Sequence, residues 1–433
     1  MLSLYYYRVF LLINSAILFS IYVAFGLNID VMPYSYIYLL MINVYMVLQS
    51  WRNFLLFIVS FIILFSNYSI VYSNFIMKFD DIMFTDVLSE RTQFVSLNVL
   101  VLFNLLIFLF VRWKDVRPHV KENIFINSEN KDNMIILLLT IILIFVFFFG
   151  FQLPEKEGAR GTPSTIYEYS LIFFILYFYY SGSQKIVVYA GLLIVLLYSL
   201  QNFIFGGRIY GLQFLLVAYI MFWMHRVSMY KVLIGISVFF VLFSIIGVVR
   251  GALLSMDADI KSIFVSLFEK GFTLDTAYSA YYTSESFVYL DERVEGVNLR
   301  LFVDFVKSIF VGSGSAPDSV LPAFSYDYVS HYGGGILPFY FYFYLGVWGV
   351  LLAAMLAAFY FNMILLITED SNYFKKCLTV WIVSTTFRWY LYGPLPLLRG
   401  ALLLAVTYYI FVYIHYEWNR IYLGLKASLK KET

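Results

Sequence analysis

Long apolar runs separated by short polar loops dominate the chain. Met134 to Phe151 and Val232 to Val249 contain no charged residue. Each matches the roughly 17–25 residues that a helix needs to cross a hydrocarbon core of about 30 Å. Runs of this kind recur and predict helices over 9–28, 31–49, 54–72, 95–111, 134–151, 167–182, 186–203, 209–225, 232–249, 335–366, 376–392 and 396–415. The tenth is long enough to tilt or to break near Gly346 and Gly349. The N-terminal stretch "MLSLYYYRVFLL" has no small-residue cleavage site after it and reads as the start of a retained helix. The pattern therefore predicts an all-α polytopic membrane protein of about twelve transmembrane helices. Residues 1–250 hold nine of them, 251–333 form one large loop, 334–416 hold the last three, and 417–433 are a basic tail.

Apolar periodicity continues inside the loop. "DIKSIFVSLFEKGF" places Ile260, Ile263, Phe264, Leu267 and Phe268 on one helical face. "LRLFVDFVKSIF" does the same with Phe302, Phe305, Val306 and Ile309. Such helices lie along a membrane surface or cap a helix bundle. The loop ends in "GSGSAPDSVLPAFSYDYVSHYGGG", a polar stretch with glycines at both ends, the pattern of an irregular segment lining a cavity.

Composition supports the class and removes alternatives. Hydrophobic residues make up 62% and charged residues 13% of the 433, against about 45–50% and 25% in soluble domains. Cys377 is the single cysteine, which excludes an intrachain disulfide and a cysteine-based metal cluster. His119, His225, His331 and His415 form no H-x-x-x-H pair. No phosphate-binding or dinucleotide-binding glycine motif occurs, so the reading calls for no cofactor and no metal. The loop from Gly251 to Gly333 carries eleven Asp/Glu against five Lys/Arg, which argues against nucleic acid as a partner. The many tyrosines and phenylalanines are explained by aromatic belts at the membrane interfaces.

Lysine and arginine in short loops set the orientation. With the N-terminus inside, sixteen of the 29 fall in the cytoplasm, and six of the other thirteen lie in Arg250 and the long loop. Long loops translocate largely regardless of charge, so both termini are expected in the cytoplasm. Arg208, in "QNFIFGGRIYGLQF", then lies outside, in the tight turn between the seventh and eighth helices. Arg250 and the pair Arg388 and Arg399 in "RWYLYGPLPLLRG" lie at the same outer boundary. A helix-end arginine commonly snorkels to headgroups or pairs with a carboxylate. Four at one depth, beside Gly206, Gly207, Gly251 and Gly400, instead suit an anionic head group held in the membrane, because arginine binds phosphate bidentately and glycine allows close approach. His331, the one histidine on the external side, is the candidate proton acceptor or acceptor-orienting group. Asp327 is placed to orient its ring if that segment is helical, and Tyr326 and Tyr328 to stack on sugar faces.

With "GGR" at 206–208, "VRG" at 249–251, "HYGGGILPFYFYFYLGVWG" after the loop and "FRW…LLRG" at 387–400, the chain resembles the bacterial O-antigen polymerases, the Wzy-type polymerases of oligosaccharide repeat units. The resemblance implies a GT-C-like membrane glycosyltransferase of the bacterial inner membrane. Its substrates would be undecaprenyl-pyrophosphate-linked oligosaccharides, and its partners membrane lipids and a chain-length regulator protein. A growing glycan on undecaprenyl pyrophosphate would be the donor and a lipid-linked repeat unit the acceptor. Arg208, Arg250, Arg388 and Arg399 would hold the pyrophosphate, with Asp327 and Tyr326 on the substrate and His331 as base. An O-antigen ligase acting on lipid A–core shares these features. A flippase for the same lipid is the alternative of another class, though midplane ionisable residues and internal repeats, its usual marks, are missing here.

Overall fold

In the computed structural model, residues 32–76, 88–116, 131–154, 161–182, 184–224, 230–235, 273–294, 296–312, 320–331 and 333–432 are described, with a few isolated positions between them. The expected helix over 9–28, most of 232–249, Arg250 and the "DIKSIFVSLFEKGF" segment lie outside the described residues.

The described chain is mostly helical. Helix α1 is Met32–Ser50, α2 Phe54–Val71 with a wider turn at Tyr72–Ile76, and α3 Glu90–Phe110. Next come α4 (Asn133–Phe149), the paired α5 (Thr165–Glu168) and α6 (Ser170–Tyr180), α7 (Lys185–Phe205), and α8 (Arg208–Ala218) with a wider turn at Tyr219–Trp223. The loop region contributes α9 (Asp275–Asp291), α10 (Asn298–Val311) and α11 (Leu321–Tyr326). The chain ends with α12 (Leu337–Leu365), α13 (Tyr373–Ser384), α14 (Thr386–Leu391) and α15 (Leu395–Glu432). Strands β1 (Phe151–Gln152) and β2 (Thr162–Pro163) pair antiparallel as a small clip. Among the described residues, five helices are long and apolar enough to cross a membrane: Phe54–Ile76, Glu90–Phe110, Lys185–Phe205, Leu337–Leu365 and Leu395–Trp418. Asn133–Phe149, Ser170–Tyr180 and Arg208–Trp223 are shorter apolar helices.

Several helix starts carry a capping side chain. Side chains of Asn53, Ser89, Asp132, Ser164 and Asn372 each accept a backbone N–H of the first turn. The anticipated break in α12 occurs at Gly346, whose φ of 60° and ψ of −143° suit glycine alone. It folds the Phe341 carbonyl onto Gly349, where an added Cβ would sit 1.8 Å from that oxygen. Both glycines are thus fixed by one broken turn.

The core lies among α1, α2, α3, α9 and α12. Three asparagines from three helices meet there, all fully buried: Asn67 donates to Asn43 Oδ1 (3.2 Å) and Asn104 Oδ1 (3.4 Å), while Tyr390 donates to Asn67 Oδ1 (2.8 Å). Asn43 and Asn104 each return their own N–H to the carbonyl four residues back. Polar side chains in an apolar bundle hydrogen-bond across helices and so set the register of packing. Here they tie the short α14 to α1, α2 and α3.

The loop is less peripheral than expected. Helix α10 buries Leu301 and Phe305 against α12, with Phe302 and Ile309 partly covered, whereas Val306 of the expected inner stripe is exposed. Helix α9, which the hydrophobic periodicity does not predict, inserts among α2, α3, α12 and α14. Its small and hydroxyl-bearing residues, such as Ala277, Ala280, Thr283, Ser284 and Ser286, allow that close approach.

Replacing Asn67 by leucine removes the shared acceptor of Tyr390. We expect a loss of about 0.5–2 kcal/mol in stability, read as a lower unfolding midpoint in detergent. An unchanged midpoint would show that the amides are not a clamp.

Candidate functional site

Two of the arginines singled out in the sequence line one cavity. It measures about 60 Å³ and is bordered by Gly206, Gly207, Arg208, Thr276, Arg388 and Tyr392 among others. A water needs on the order of 10–15 Å³ of such space, so the cavity takes a group of about four or five non-hydrogen atoms, the size of one phosphate. The cavity lies where α8 and α9 both begin, and neither helix has a capping side chain at its N-cap residue. The first turns of two helices therefore border a space lined by two guanidiniums, with the Thr276 N–H at the start of α9 already taken by Asp275 Oδ1.

Each guanidinium is held by a carboxylate. Arg208 Nη2 lies 2.6 Å from Asp275 Oδ2, and Arg388 Nη2 lies 2.8 Å from Glu168 Oε2. The second oxygen of Glu168 accepts the Tyr210 hydroxyl, and the Tyr210 ring lies beneath the Arg388 guanidinium at 4.3 Å. Arg388 is thus fixed in plane by Glu168 and from below by an aromatic face. A guanidinium carries five N–H donors, and the contact of Arg388 with Glu168 uses one of them. Thr276 stands next to Asp275, whose Oδ1 accepts the Thr276 backbone N–H.

Arg399 belongs to the same end of the bundle but not to the cavity lining. Its guanidinium lies 5.6 Å from the centre of the Tyr169 ring and packs on the backbone of Gly312, where a Cβ would come within 3.0 Å. Tyr169 is close enough to feel the charge of both Arg388 and Arg399. The side chains of Arg208 and Arg388 are largely buried, at 13% and 18% exposed. Gly400 serves packing rather than approach to a ligand, because an added Cβ would meet the Trp381 ring at 2.1 Å.

The expectation for His331 needs correction. The ring is buried, its Nδ1 accepts the Gly333 N–H (3.0 Å), and its Nε2 lies 2.7 Å from Ser325 Oγ, which in turn donates to the Pro322 carbonyl. A lone pair taken at Nδ1 leaves Nε2–H as donor to Ser325, so no nitrogen is left to accept a substrate proton. Burial lowers its pKa and keeps it neutral. The residue staples the loop. Asp327 does not orient the ring; it caps α11 and is exposed, as is Tyr326, which meets the ring edge-on at 5.6 Å.

The triglycine after His331 nonetheless reaches the cavity wall. Gly333, Gly334 and Gly335 all have positive φ, and Gly335 N donates to the Leu391 carbonyl (2.9 Å) while Thr283 Oγ1 donates to the Gly333 carbonyl (3.0 Å). The loop is thereby pinned between α9 and the Leu391–Tyr392 segment.

Sequence reasoning missed Glu168, Asp275, Tyr210 and Glu285. Glu168 sits near the start of an apolar run and Asp275 amid a polar stretch, and neither position shows which arginine it meets. Glu285 is buried on α9, 7% exposed, near Tyr36, Tyr281 and Tyr282, and has no ion pair among the described residues. Burial pushes its pKa from 4.5 up to about 8. The described residues contain no group of His, Cys, Asp and Glu able to hold a metal.

Between pH 4.5 and about 8 the folded protein keeps a proton on Glu285 that the unfolded chain releases, so stability falls as pH rises through that window and levels off above it. The Glu285→Gln variant should flatten this slope in thermal unfolding series and unfold at a higher temperature than wild type above pH 8. A parallel slope in both proteins would contradict this. Glu168→Gln should cost about 1.5–3 kcal/mol through the lost charged contact to Arg388, measured by the same unfolding series at pH 7. No family model matches the chain, and no curated protein or solved structure matches it either.

Proposed function

We propose that the chain is a membrane glycosyltransferase of the repeat-unit polymerase kind, of GT-C-like architecture with about twelve crossings, working at the outer face of the bacterial inner membrane. The observation that carries this reading is the single cavity shared by Arg208 and Arg388. Its phosphate-scale size, two guanidiniums and two helix N-termini suit a diphosphate anchored in the membrane, entering with one phosphate inside and the other toward Arg399. Arg250, beyond the described residues, keeps the role its position in the sequence suggests.

In this reading the acceptor hydroxyl attacks the anomeric carbon of the donor glycan. The bond from that carbon to the diphosphate oxygen breaks, and undecaprenyl diphosphate leaves with the electron pair. The guanidiniums and N–H groups stabilise the charge growing on the diphosphate. Fixing Arg388 between Glu168 and the Tyr210 ring means that little reorganisation is needed at the moment of transfer. In this reading Asp275, which is half exposed and begins the helix that borders the cavity, takes the hydroxyl proton on a remaining lone pair of the carboxylate that also holds Arg208 and the Thr276 N–H. Product binding and release by anion exchange at Arg208 and Arg388 complete the cycle.

Purified protein given undecaprenyl-diphosphate-linked repeat units should yield a ladder of polymer and release undecaprenyl diphosphate. Arg208→Ala and Arg388→Ala should each lower the rate by about 10²–10³, as loss of one transition-state donor does elsewhere. Ladders equal to wild type from both variants would remove the cavity from the reaction. Transfer to lipid A–core without ladder formation would identify a ligase.

A further inference from the structure

Helix α10 carries two apolar faces, where a helix capping a bundle in water carries one. Leu301, Phe305 and Ser308 are buried, and the Phe305 ring rests on Tyr344 and Phe341 of α12, at 5.5 and 6.2 Å between ring centres. Leu299, Val303, Val306 and Phe310 recur every three or four residues and form a second stripe; all four are exposed, Phe310 at 69%. At about 100° per residue the two faces point nearly opposite ways, and Arg300, Asp304 and Lys307 lie about a quarter turn from both. In water the face turned away from the bundle would be the charged one. Here that face is apolar, and the charges occupy the flank between.

Two rulers give the depth of this helix. At the end of the bundle far from the arginines, Asn362 of α12 joins α3, donating to the Phe110 carbonyl (3.2 Å) and accepting the Arg112 N–H (2.8 Å). A hydrocarbon core of about 30 Å takes about twenty helical residues at 1.5 Å each. Counted back from Phe110, the other boundary of the core falls at Glu90 and Arg91, where α3 starts and Arg91 pairs with Glu292 just past α9. Counted back from Asn362, it falls near Tyr342, between the two residues of α12 on which Phe305 rests. Asn298 donates to the Phe343 carbonyl (2.7 Å), so α10 starts at that same level. One turn further in, Val347 and Trp348 of α12 are exposed. Helix α10 therefore lies at the edge of the hydrocarbon, beside the apolar surface that α12 presents to lipid.

We propose that α10 is an in-plane membrane helix whose outward stripe docks into a phospholipid surface, the leaflet on the arginine side. Leu299, Val303, Val306 and Phe310 sit among its acyl chains, and Arg300 and Lys307 reach its phosphate headgroups. Asp304 pairs with Lys307 (3.0 Å), which leaves the charged flank of the helix net positive toward those phosphates. The buried face meanwhile holds the helix to α12, so one element is shared between bundle and leaflet. Its last residue, Val311, leads into Gly312, on whose backbone the Arg399 guanidinium packs. The leaflet thereby seats the segment that walls Arg399, whichever anion the arginine cavity takes.

Nitroxide labels on single cysteines test this in the full chain, with Cys377→Ala as background, in vesicles of phosphatidylethanolamine and phosphatidylglycerol. Leu299→Cys, Val303→Cys, Val306→Cys and Phe310→Cys should collide with oxygen, which concentrates among acyl chains, and lose most collision with a water-soluble nickel chelate. Arg300→Cys and Lys307→Cys should show the reverse, and Val347→Cys on α12 should behave as the stripe does. All of these positions are exposed, so a label displaces no packed side chain. Nickel collision along the stripe equal to that at Arg300 would place the helix in water and overturn the proposal. Low collision with both reagents would mean a cover of protein and overturn it as well. Spin–spin broadening that disappears on dilution with unlabelled protein would then identify a second copy as the cover, and its absence a segment of this chain.

Discussion

A guanidinium inside a helix bundle has no bulk water to solvate it, so its place in the protein is decided by whatever carboxylate, ring or helix end can stand in for that water. Glu168 does so for Arg388. One of its oxygens meets the guanidinium and the other takes the Tyr210 hydroxyl, whose ring lies under the same guanidinium. Asp275 does so for Arg208. These two pairs draw α5, α8, α9 and α14 to one point, and the cavity is what remains between them. A charge held this firmly by a carboxylate is also one that an incoming phosphate can share, because most of the N–H donors of a guanidinium lie outside any single contact.

The same requirement shapes the interior away from the charges. Asn43, Asn67 and Asn104 satisfy one another and the hydroxyl of Tyr390, two residues beyond Arg388. The short helix that carries Arg388 is therefore anchored on both sides, by amides toward α1, α2 and α3 and by Glu168 toward α5. Rigidity of that helix is what an anion site needs, since donors already in position lose little freedom when the ligand arrives. Glu285 is the contrasting case: buried without an ion pair among the described residues, it relieves its cost by staying protonated.

Glycines supply the geometry that side chains would obstruct. The turn at Gly346 folds α12 back over Gly349, and Gly333 to Gly335 carry the loop from α11 to the wall formed by Leu391 and Tyr392. His331 sits at the start of that run and uses both ring nitrogens to hold it. A residue type suited to proton transfer thus serves as a clip, which shows why residue type and position in a loop are weak guides to role until the hydrogen-bond partners are known.

Hydrophobic runs longer than a bilayer's core can only be helices, because lipid satisfies no backbone hydrogen bond; for that reason the apolar helices over 31–49, 54–72, 95–111, 134–151, 186–203 and 335–366 were legible in the chain, as was the break at Gly346. Arg208 and Arg388 were legible as well, since charge at the end of an apolar run stands out. Helix α9 was not: it is polar in sequence and buried through small side chains, and periodicity reports which face is oily, not how closely a helix fits. The partners of the arginines were equally hidden. Glu168 and Arg388 lie 220 positions apart and Arg208 and Asp275 67, and no local pattern encodes contacts over such spans. Folding chose these pairs because an unpaired charge among packed helices costs more than bringing distant segments together.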